Sequence, residues 1–291
     1  MRNPFEDQSF ERIDIDIFHE QAVATLSKAR IKEGRFSDIY KPEIIEHDKK
    51  VVTDSEARHE RDSTEEQREL KKIAEIFEAV IFSNGDSSEW FGPRANMAVA
   101  SKYDDFENGV DEIVEFSPVG DEPVSHLGLG IDVTFNIDST KKLDRIKAQI
   151  DKGRLTEVKY YESPIDGTHD RLKDIPEVIV GAERKMVLEL GALSRGRKMS
   201  GLANHKIQIM MLVQVKDQLE TFAMYAESVG KGWIAEVLRE RLAIIDGILK
   251  DKKELFDKVK HELADDSVHF NITSYLRRLR QKIIEGQVLA A

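Results

Sequence analysis

Two aspartates lie in segments where aspartate is uncommon. Asp111 and Asp132 belong to NGVDEIVEF and LGLGIDVTF, whose alternating apolar residues predict β-strands, and strands are normally depleted in aspartate. Two neighbouring carboxylates repel each other unless a cation lies between them. Mg²⁺ suits such a position because it is usually held by one or two carboxylates together with phosphate oxygens. The pair therefore predicts a Mg²⁺ or Mn²⁺ site that would polarise a phosphodiester and activate a water.

The two strands are predicted to form an antiparallel hairpin. The turn-rich segment SPVGDEP joins them, and pairing across it brings Asp111 and Asp132 toward the same end of the sheet. Gly128, Gly130 and Thr134 share the face of Asp132, so we expect this face to leave room for a substrate or a metal near the backbone. The alternative is that both aspartates lie on a solvated sheet face or cap local turns.

Helices flank these strands. The helix before them carries a capping-box pattern in STEEQ, residues 63–67, and is predicted to end at Asn84-Gly85. The helix after them runs through KKLDRIKAQIDKG. Further strands are predicted in NMAVASKY, TEVKYYES and IPEVIVG, and a further helix over residues 182–193. This order of helices and strands predicts an α/β fold.

The remaining segments are helical or polar. A helix is predicted over residues 8–33, and the polar stretch over 35–62 is expected to be a solvated connector or a frayed helix. Beyond Ser200 only helical patterns occur, over residues 205–229, 233–263 and 272–285. The predicted divisions are an N-terminal helix and connector over 1–62, an α/β core over 63–200 and a C-terminal helical module over 201–291.

Composition narrows the possible chemistry. The 291 residues include no cysteine, which excludes disulfides, thiolate catalysis and cysteine zinc sites. The N-terminal segment lacks the apolar run of a signal peptide, and the longest apolar block, around residues 209–213, is too short to span a bilayer. We therefore expect a cytoplasmic protein without a membrane partner.

The net charge of −11 argues at first against a nucleic-acid partner, because phosphate binding depends on lysine and arginine. The acidity is concentrated in residues 1–170, which hold 23 basic against 38 acidic residues, whereas residues 171–291 hold 21 against 17. The basic residues of this second part include two clusters: Arg195, Arg197 and Lys198, and then Arg277, Arg278, Arg280 and Lys282. They are candidate phosphate contacts, and the alternative is that both clusters are solvated surface.

The order of the elements resembles the PD-(D/E)XK nuclease superfamily, which has a restriction-endonuclease-like fold. The resemblance covers about residues 64–182, from the helix before NGVDEIVEF to the strand EVKYYES and beyond. It implies a mixed sheet flanked by helices. In that superfamily the first acidic ligand follows a glycine-containing turn, as Asp111 follows Gly109, and the second opens an acidic-x-Lys triplet, as Asp132 does.

The triplet departs from the superfamily pattern at its third position, where Thr134 replaces lysine. Threonine donates a hydrogen bond but cannot supply the positive charge that stabilises the attacking hydroxide, so we expect Thr134 only to contact the substrate. Relocation of the lysine to the following helix occurs within the superfamily, which favours Lys142, with Arg145 beside it as a substrate contact. Lys159, on the next predicted strand, is the other candidate.

Further metal ligands are implied by the same resemblance. A carboxylate from the earlier helix completes the metal shell in some relatives, which points to Glu75 or Glu78, and Glu115 is a candidate because it shares a strand face with Asp111. The expected function is a metal-dependent nuclease that cleaves DNA, or RNA, with Arg195, Arg197 and Lys198 as phosphate contacts. The alternative is a catalytically inactive nuclease-like scaffold whose C-terminal helices form a homodimer or a partner interface.

Overall fold

A computed structural model of the chain describes residues 4–118, 120, 124–132, 138–196 and 199–287. The helices are α1 (Pro4–Ala29), α2 (Pro42–Asp62), α3 (Glu65–Ser87), α4 (Asp138–Asp151), α5 (Arg184–Arg195), α6 (Met199–Ala203), α7 (Ile207–Ser228), α8 (Gly232–Asp251), α9 (Lys253–Val259) and α10 (Ser267–Ile284). The strands are β1 (Ala95–Val99), β2 (Glu112–Phe116), β3 (Ser125–Asp132), β4 (Thr156–Glu162), β5 (His169–Ile175) and β6 (Glu177–Gly181). The predicted mixture of helices and strands is confirmed.

Four strands form a mixed sheet in the order β1-β2-β3-β6. β1, β2 and β3 are antiparallel neighbours, whereas β6 runs parallel to β3. α4 lies between β3 and β6 in the chain and provides part of the long crossover that a parallel pair requires. The predicted hairpin of β2 and β3 and the predicted strand within NMAVASKY are both confirmed.

The strand predicted in TEVKYYES is present as β4, but it lies outside this sheet. It pairs with β5 in a separate antiparallel sheet of two strands. The residues of β5, HDRLKDI, fall in none of the strands predicted from the sequence. Most of β5 is exposed or half-buried, so its charged sequence lacks the apolar alternation by which strands are recognised.

α3 begins where its sequence predicts and ends later. Thr64 and Gln67 form the predicted capping box, in which each side chain accepts a hydrogen bond from the other residue's backbone N–H. The predicted end at Asn84-Gly85 is wrong, because the helix continues to Ser87. A Cβ at Gly85 would overlap the side chain of Met97 on β1, so this glycine permits close helix-to-strand packing rather than ending the helix.

The N-terminal helices are more regular than their sequences suggest. α1 buries Ile15, Phe18, Ala22 and Leu26, whereas Val23 is 40% exposed. The polar segment expected to be a connector or a frayed helix forms the 21-residue helix α2. It is anchored through the buried side chains of Ile45, Asp48 and Val52, a narrow stripe that many charged neighbours conceal in the sequence.

α7 is the central helix of the C-terminal part. It packs against α8, α10 and β6, and its buried side chains belong to the same hydrophobic cluster as those of the sheet. The predicted helix over residues 233–263 is too long, because Lys252 separates α8 from α9. Trp233, in the first turn of α8, is 44% exposed. No described helix is both long and apolar enough to cross a membrane.

Two glutamines of α7 complete the edge of the sheet. The side-chain amide of Gln214 accepts a hydrogen bond from the N–H of Gly181 (2.9 Å) and donates one to its carbonyl (2.8 Å). Gln218 makes the same pair of bonds with Ile179, at 2.8 and 2.7 Å. Both glutamines are buried. They satisfy backbone groups of β6 that a further strand would otherwise pair with, and so they protect an edge that would invite association.

We expect Gln218→Leu to destabilise the protein, because it leaves the buried N–H and C=O of Ile179 without partners. An unsatisfied buried polar group costs about 1–3 kcal/mol, so the loss of two partners should lower the free energy of unfolding in urea denaturation by roughly 2–6 kcal/mol. Lys216→Gln on the same helix is the control, since it removes only an exposed ion pair with Asp246 and should cost less than about 1 kcal/mol. Equal effects of the two substitutions would contradict the role given to Gln218.

Candidate active site

The backbones of Asp111 and Asp132 lie at the same end of the sheet. The N–H of Asp111 donates to the carbonyl of Leu129 (2.9 Å), and its own carbonyl accepts from Ala100 (3.0 Å). Since Glu112 is paired with Leu129, the register continued by one residue sets Asp111 opposite Gly130, two residues before Asp132. Opposed positions and positions two apart share a face. The side chain of Asp132 lies outside the described residues, as does Thr134.

The glycines of β3 do not leave open space. A Cβ at Gly128 would lie 3.4 Å from both methyl groups of Val110, and a Cβ at Gly130 would lie 2.8 Å from Ile179 and 3.3 Å from the carbonyl oxygen of Gly109. The expectation that this face admits a substrate to the backbone is therefore wrong at these two positions. The glycines instead let the neighbouring chain pack closely.

Gly109 forms the turn before Asp111. Its φ of 70° lies in the left-handed region, which costs other residues about 1–2 kcal/mol. The guanidinium of Arg145 on α4 covers the place that a Cβ would take, and one of its N–H groups donates to the Gly109 carbonyl (3.4 Å). Glycine is therefore favoured at position 109 for two reasons: it adopts the left-handed backbone conformation, and it leaves room for Arg145 of α4.

A buried arginine lies close to the predicted site. The guanidinium of Arg30, which follows α1, pairs with Glu78 of α3 at 2.8 Å and donates to the carbonyl of Ala100 at 3.1 Å. Asp105, in the turn before β2, lies 3.6 Å away. Burial opposes the charge of Arg30, but Glu78, Asp105 and Asp111 raise its pKa above the ordinary value. The guanidinium therefore stays charged and holds acidic groups from three segments.

The acidic groups around Arg30 have raised pKa values. Burial raises the pKa of Glu78 well above its ordinary value; Arg30 opposes this shift, and Asp111 and Asp105 add to it. Burial likewise raises the pKa of Asp105, against the effect of Arg30. Asp111 therefore lies within electrostatic range of Glu78, the carboxylate predicted as a further ligand. Glu75, the alternative to Glu78, is instead hydrogen-bonded to His19.

Glu112 is the least satisfied carboxyl of this region. It is fully buried, and neither of its oxygens has a hydrogen-bond partner among the described residues. Burial raises its pKa well above the ordinary value, and the nearby charges of Glu78 and Asp111 raise it further. The protonated form of Glu112 is therefore favoured. Glu112 is not among the residues predicted from the sequence. Its position between Val110 and Val114 on the apolar face of the strand nevertheless indicates a buried carboxyl.

Glu115 lies away from the predicted metal site. It is four residues beyond Asp111 along β2, a distance of about 13 Å at the usual rise of a strand. Its buried carboxylate accepts hydrogen bonds from the hydroxyls of Tyr161 and Ser163, the second at 3.2 Å. The structure therefore does not bring Glu115 to Asp111.

The two candidate lysines have different surroundings. Lys159 on β4 pairs with the buried Asp48, and its Nζ lies 4.8 Å from the centre of the Tyr103 ring. It thus joins α2 to the small sheet. Lys142 on α4 contributes a charge that opposes the raised pKa values of Asp105 and Glu177, so it is the candidate within electrostatic range of the acidic groups near Asp111.

The predicted substrate contacts are dispersed. Arg145 pairs with the buried Glu177, whose other oxygen accepts from the hydroxyl of Thr156 at 2.5 Å. Arg195 is exposed in the last turn of α5. Arg197 and Lys198 lie outside the described residues. The structure therefore gives Arg145 a structural partner and leaves Arg195 accessible.

The predicted ligands Asp111, Asp132 and Glu78 would offer carboxylate oxygens, which are the type of ligand that a hard cation such as Mg²⁺ prefers. The buried carboxyl of Glu112, at this end of the sheet, has no hydrogen-bond partner among the described residues and is a further oxygen group in the same region. Among the described side chains, however, no group of three or more histidines and carboxylates is arranged to hold a metal ion. A site with three such ligands would therefore have to include a side chain outside the described ones, such as that of Asp132.

Comparison of the chain with protein-family models, with curated proteins and with solved structures gave no match. The functional argument therefore depends on the residues and on their arrangement.

We expect Glu112→Gln to change how stability depends on pH. Because the folded-state pKa is raised, the folded protein holds this proton more tightly than the unfolded chain. The protonated Glu112 therefore makes its full contribution to the free energy of unfolding below about pH 4.3, the usual glutamate pKa. That contribution is lost as the pH rises toward the folded-state pKa. Relative to wild type, Glu112→Gln should gain free energy of unfolding between pH 4 and pH 8 in urea denaturation.

Glu107→Gln provides the control for this experiment, because it removes the same charge from an exposed position in the turn before β2. Its difference from wild type should vary little with pH. If the difference in free energy of unfolding between Glu112→Gln and wild type stays constant from pH 4 to pH 8, the pKa of the Glu112 carboxyl is not raised in the folded protein.

We expect Gly109→Ala to destabilise the protein by at least about 1–2 kcal/mol, the cost of the left-handed backbone for alanine. Displacement of Arg145 from Glu177 should add to this loss. Gly247→Ala is the control, because Gly247 lies in α8 with open space around it and alanine there should stabilise by about 0.5–1 kcal/mol. Thermal unfolding would measure both, and an unchanged melting temperature for Gly109→Ala would contradict the packing described.

Proposed function

We propose that this protein is a metal-dependent nuclease that hydrolyses phosphodiester bonds of DNA or RNA with a metal-activated water. The observation that carries the proposal is the common position of Asp111 and Asp132 at one end of β2 and β3, after a glycine turn. Acidic residues from adjoining strands at one sheet end can hold a divalent cation between them. The proposal thus requires Mg²⁺ or Mn²⁺.

The order of the elements supports the same proposal. Along the chain, helix α3 is followed by three antiparallel strands, β1, β2 and β3. The crossover helix α4 and the strand β6, which is parallel to β3, come after them. This agrees with the mixed sheet flanked by helices that the resemblance to PD-(D/E)XK nucleases implies. The small sheet of β4 and β5 is then an insertion between α4 and β6. Fold alone does not establish an activity, so the chemistry is argued from the side chains.

Each residue has a distinct role in the proposal. The bound cation would polarise the phosphodiester and supply a hydroxide. Asp111 and Asp132 would hold it, and Glu78 would adjust the local charge while paired with Arg30. Lys142 would supply the cation that Thr134 cannot, stabilising the charge that develops on the phosphate. Arg195 would be a phosphate contact on the exposed end of α5.

One observation favours the alternative of a catalytically inactive scaffold. The guanidinium of Arg30 already binds Glu78 and lies near Asp105, so it neutralises carboxylates that a metal would otherwise engage. In this alternative, the C-terminal helices provide the function as a dimer or partner interface. Trp233 on α8 and Phe270 and Ile284 on α10 are exposed apolar residues that such an interface would cover.

The experiment combines cleavage with metal binding. Purified full-length protein should cut labelled single- or double-stranded DNA or RNA when Mg²⁺ or Mn²⁺ is added, and EDTA should stop the reaction. Asp111→Asn and Asp132→Ala should each lower the rate roughly 100-fold or more and weaken Mn²⁺ binding in calorimetry. Lys142→Gln should lower kcat with little change in metal binding, because it acts on the developing charge.

Asp54→Asn is the control, because Asp54 is exposed on α2, and it should keep full activity. Circular dichroism should show that every variant is folded. Metal-independent cleavage, or no cleavage of any of the four substrates, would overturn the nuclease proposal. Absence of cleavage together with a dimer in analytical ultracentrifugation, lost on Phe270→Glu, would favour the scaffold.

A further inference from the structure

A cleft separates α4 from α10. Its volume is about 310 Å³, which lies in the range of small-molecule sites. α4 contributes Asp144 and Lys147 to its walls, and α10 contributes Tyr275, Arg278, Leu279 and Lys282. The α10 residues follow the spacing i, i+3, i+4 and i+7 and therefore form one face of that helix.

Among the described residues that line the cleft, three cations face a single carboxylate, which gives it a surplus of positive charge. Arg278 and Lys282 are exposed and make no ion pair or hydrogen bond with any described residue. Lys147 is engaged by Asp151 at 3.0 Å and lies 4.5 Å from the centre of the Tyr225 ring. Two cations are therefore available to a ligand.

Other basic residues of α10 differ from these two. Arg280 donates to the hydroxyl of Thr221 at 2.7 Å and pairs with Glu220 at 2.9 Å. It is thus used to attach α10 to α7. Arg277, the neighbour of Arg278, is exposed but lies off the face that lines the cleft. The basic cluster seen in the sequence therefore has three parts. Arg280 is structural, Arg277 is solvated, and Arg278 and Lys282 line the cleft.

The wall between the cations is aromatic and apolar. The hydroxyl of Tyr275 donates to Asp144 at 2.6 Å, and burial, with the Asp144 charge, raises the pKa of that hydroxyl. The bond fixes the Tyr275 ring and engages Asp144, the single carboxylate among the described lining residues. Leu279 lies next to it and is almost fully buried. A flat ring beside free cations is the combination that binds a base together with its phosphate.

The cleft is separate from the acidic region near Asp111. Arg145 faces Gly109 and Glu177, whereas Asp144 and Lys147 face α10. Adjacent positions of a helix point about 100° apart, so different sides of α4 serve the two regions. A ligand in the cleft would not require a metal at Asp111.

We propose that the α4–α10 cleft binds a nucleotide unit, with its phosphate on Arg278 and Lys282 and its base against Tyr275. Arginine and lysine donate charge-assisted hydrogen bonds to phosphate oxygens. The unit can be a free nucleotide or one link of a nucleic-acid strand. This site goes beyond the proposed nuclease chemistry and does not depend on it.

The test measures binding by the full-length protein in EDTA. The probes are a fluorescent 12-nucleotide single strand followed by anisotropy, a nucleoside monophosphate followed by calorimetry, and inorganic phosphate as a competitor. Arg278→Gln with Lys282→Gln should raise the Kd for the strand at least about tenfold and reduce the slope of log K against log salt by about 0.7–1.4. Arg277→Gln, the matched control, should change the Kd less than about twofold.

Tyr275→Leu separates recognition of a nucleotide from recognition of phosphate alone. It should weaken binding of the strand and the nucleotide and leave competition by phosphate unchanged. Much tighter binding of the strand than of the monophosphate identifies a nucleic-acid chain as the source, and comparable binding identifies a free nucleotide; both support the proposal.

Two results would overturn the proposal. One is the absence of binding of all three probes to the wild-type protein. The other is an equal loss of binding in Arg277→Gln and in the double variant, which would indicate general attraction to a basic surface. The binding is measured in EDTA, where the proposed metal-dependent cleavage cannot occur, so a failure of the nuclease proposal is distinguishable from a failure of this one.

Discussion

The buried guanidinium of Arg30 fixes the end of the sheet at which Asp111 lies. It binds Glu78 of α3, the carbonyl of Ala100 after β1, and lies near Asp105 in the turn before β2. Removing these charges from water costs several kcal/mol per ion and is repaid only where the partners are well placed. α1, α3 and the turn therefore cannot shift independently. Asp111 takes its position from them, because its carbonyl is bonded to Ala100.

The opposite edge of the sheet depends on side chains rather than on another strand. Gln214 and Gln218 of α7 bond both backbone groups of Gly181 and Ile179. This pairing, with the shared hydrophobic cluster, joins the C-terminal helices to the sheet and makes α7 part of the same core. The predicted division between residues 200 and 201 marks a change in sequence pattern, at which the chain passes from mixed elements to helices alone. It does not mark a gap in packing.

Local patterns predicted much of the fold and some of the site. The β2–β3 hairpin and the capping box of α3 depend on neighbours within a few residues, so the sequence carries their signal. The common end of Asp111 and Asp132 follows from the turn between their strands. The role of Gly130 was misjudged, because a glycine looks the same in sequence whether a substrate or Ile179 occupies the space beside it. Lys159 was misjudged in a related way, since its partner Asp48 lies 111 residues away.

By itself, the sequence determined the class of elements, the absence of cysteine chemistry, and the pairing that sets Asp111 near the end of β3. These follow from periodicity and composition, which act over short spans of chain. Only the tertiary structure decided which charged groups meet. It paired Glu78 with Arg30, joined Glu115 to Tyr161, and placed Arg278 in a cleft with no ion-pair partner among the described residues. The reason is that a buried charge must find its partner in space, and that partner can come from any part of the chain.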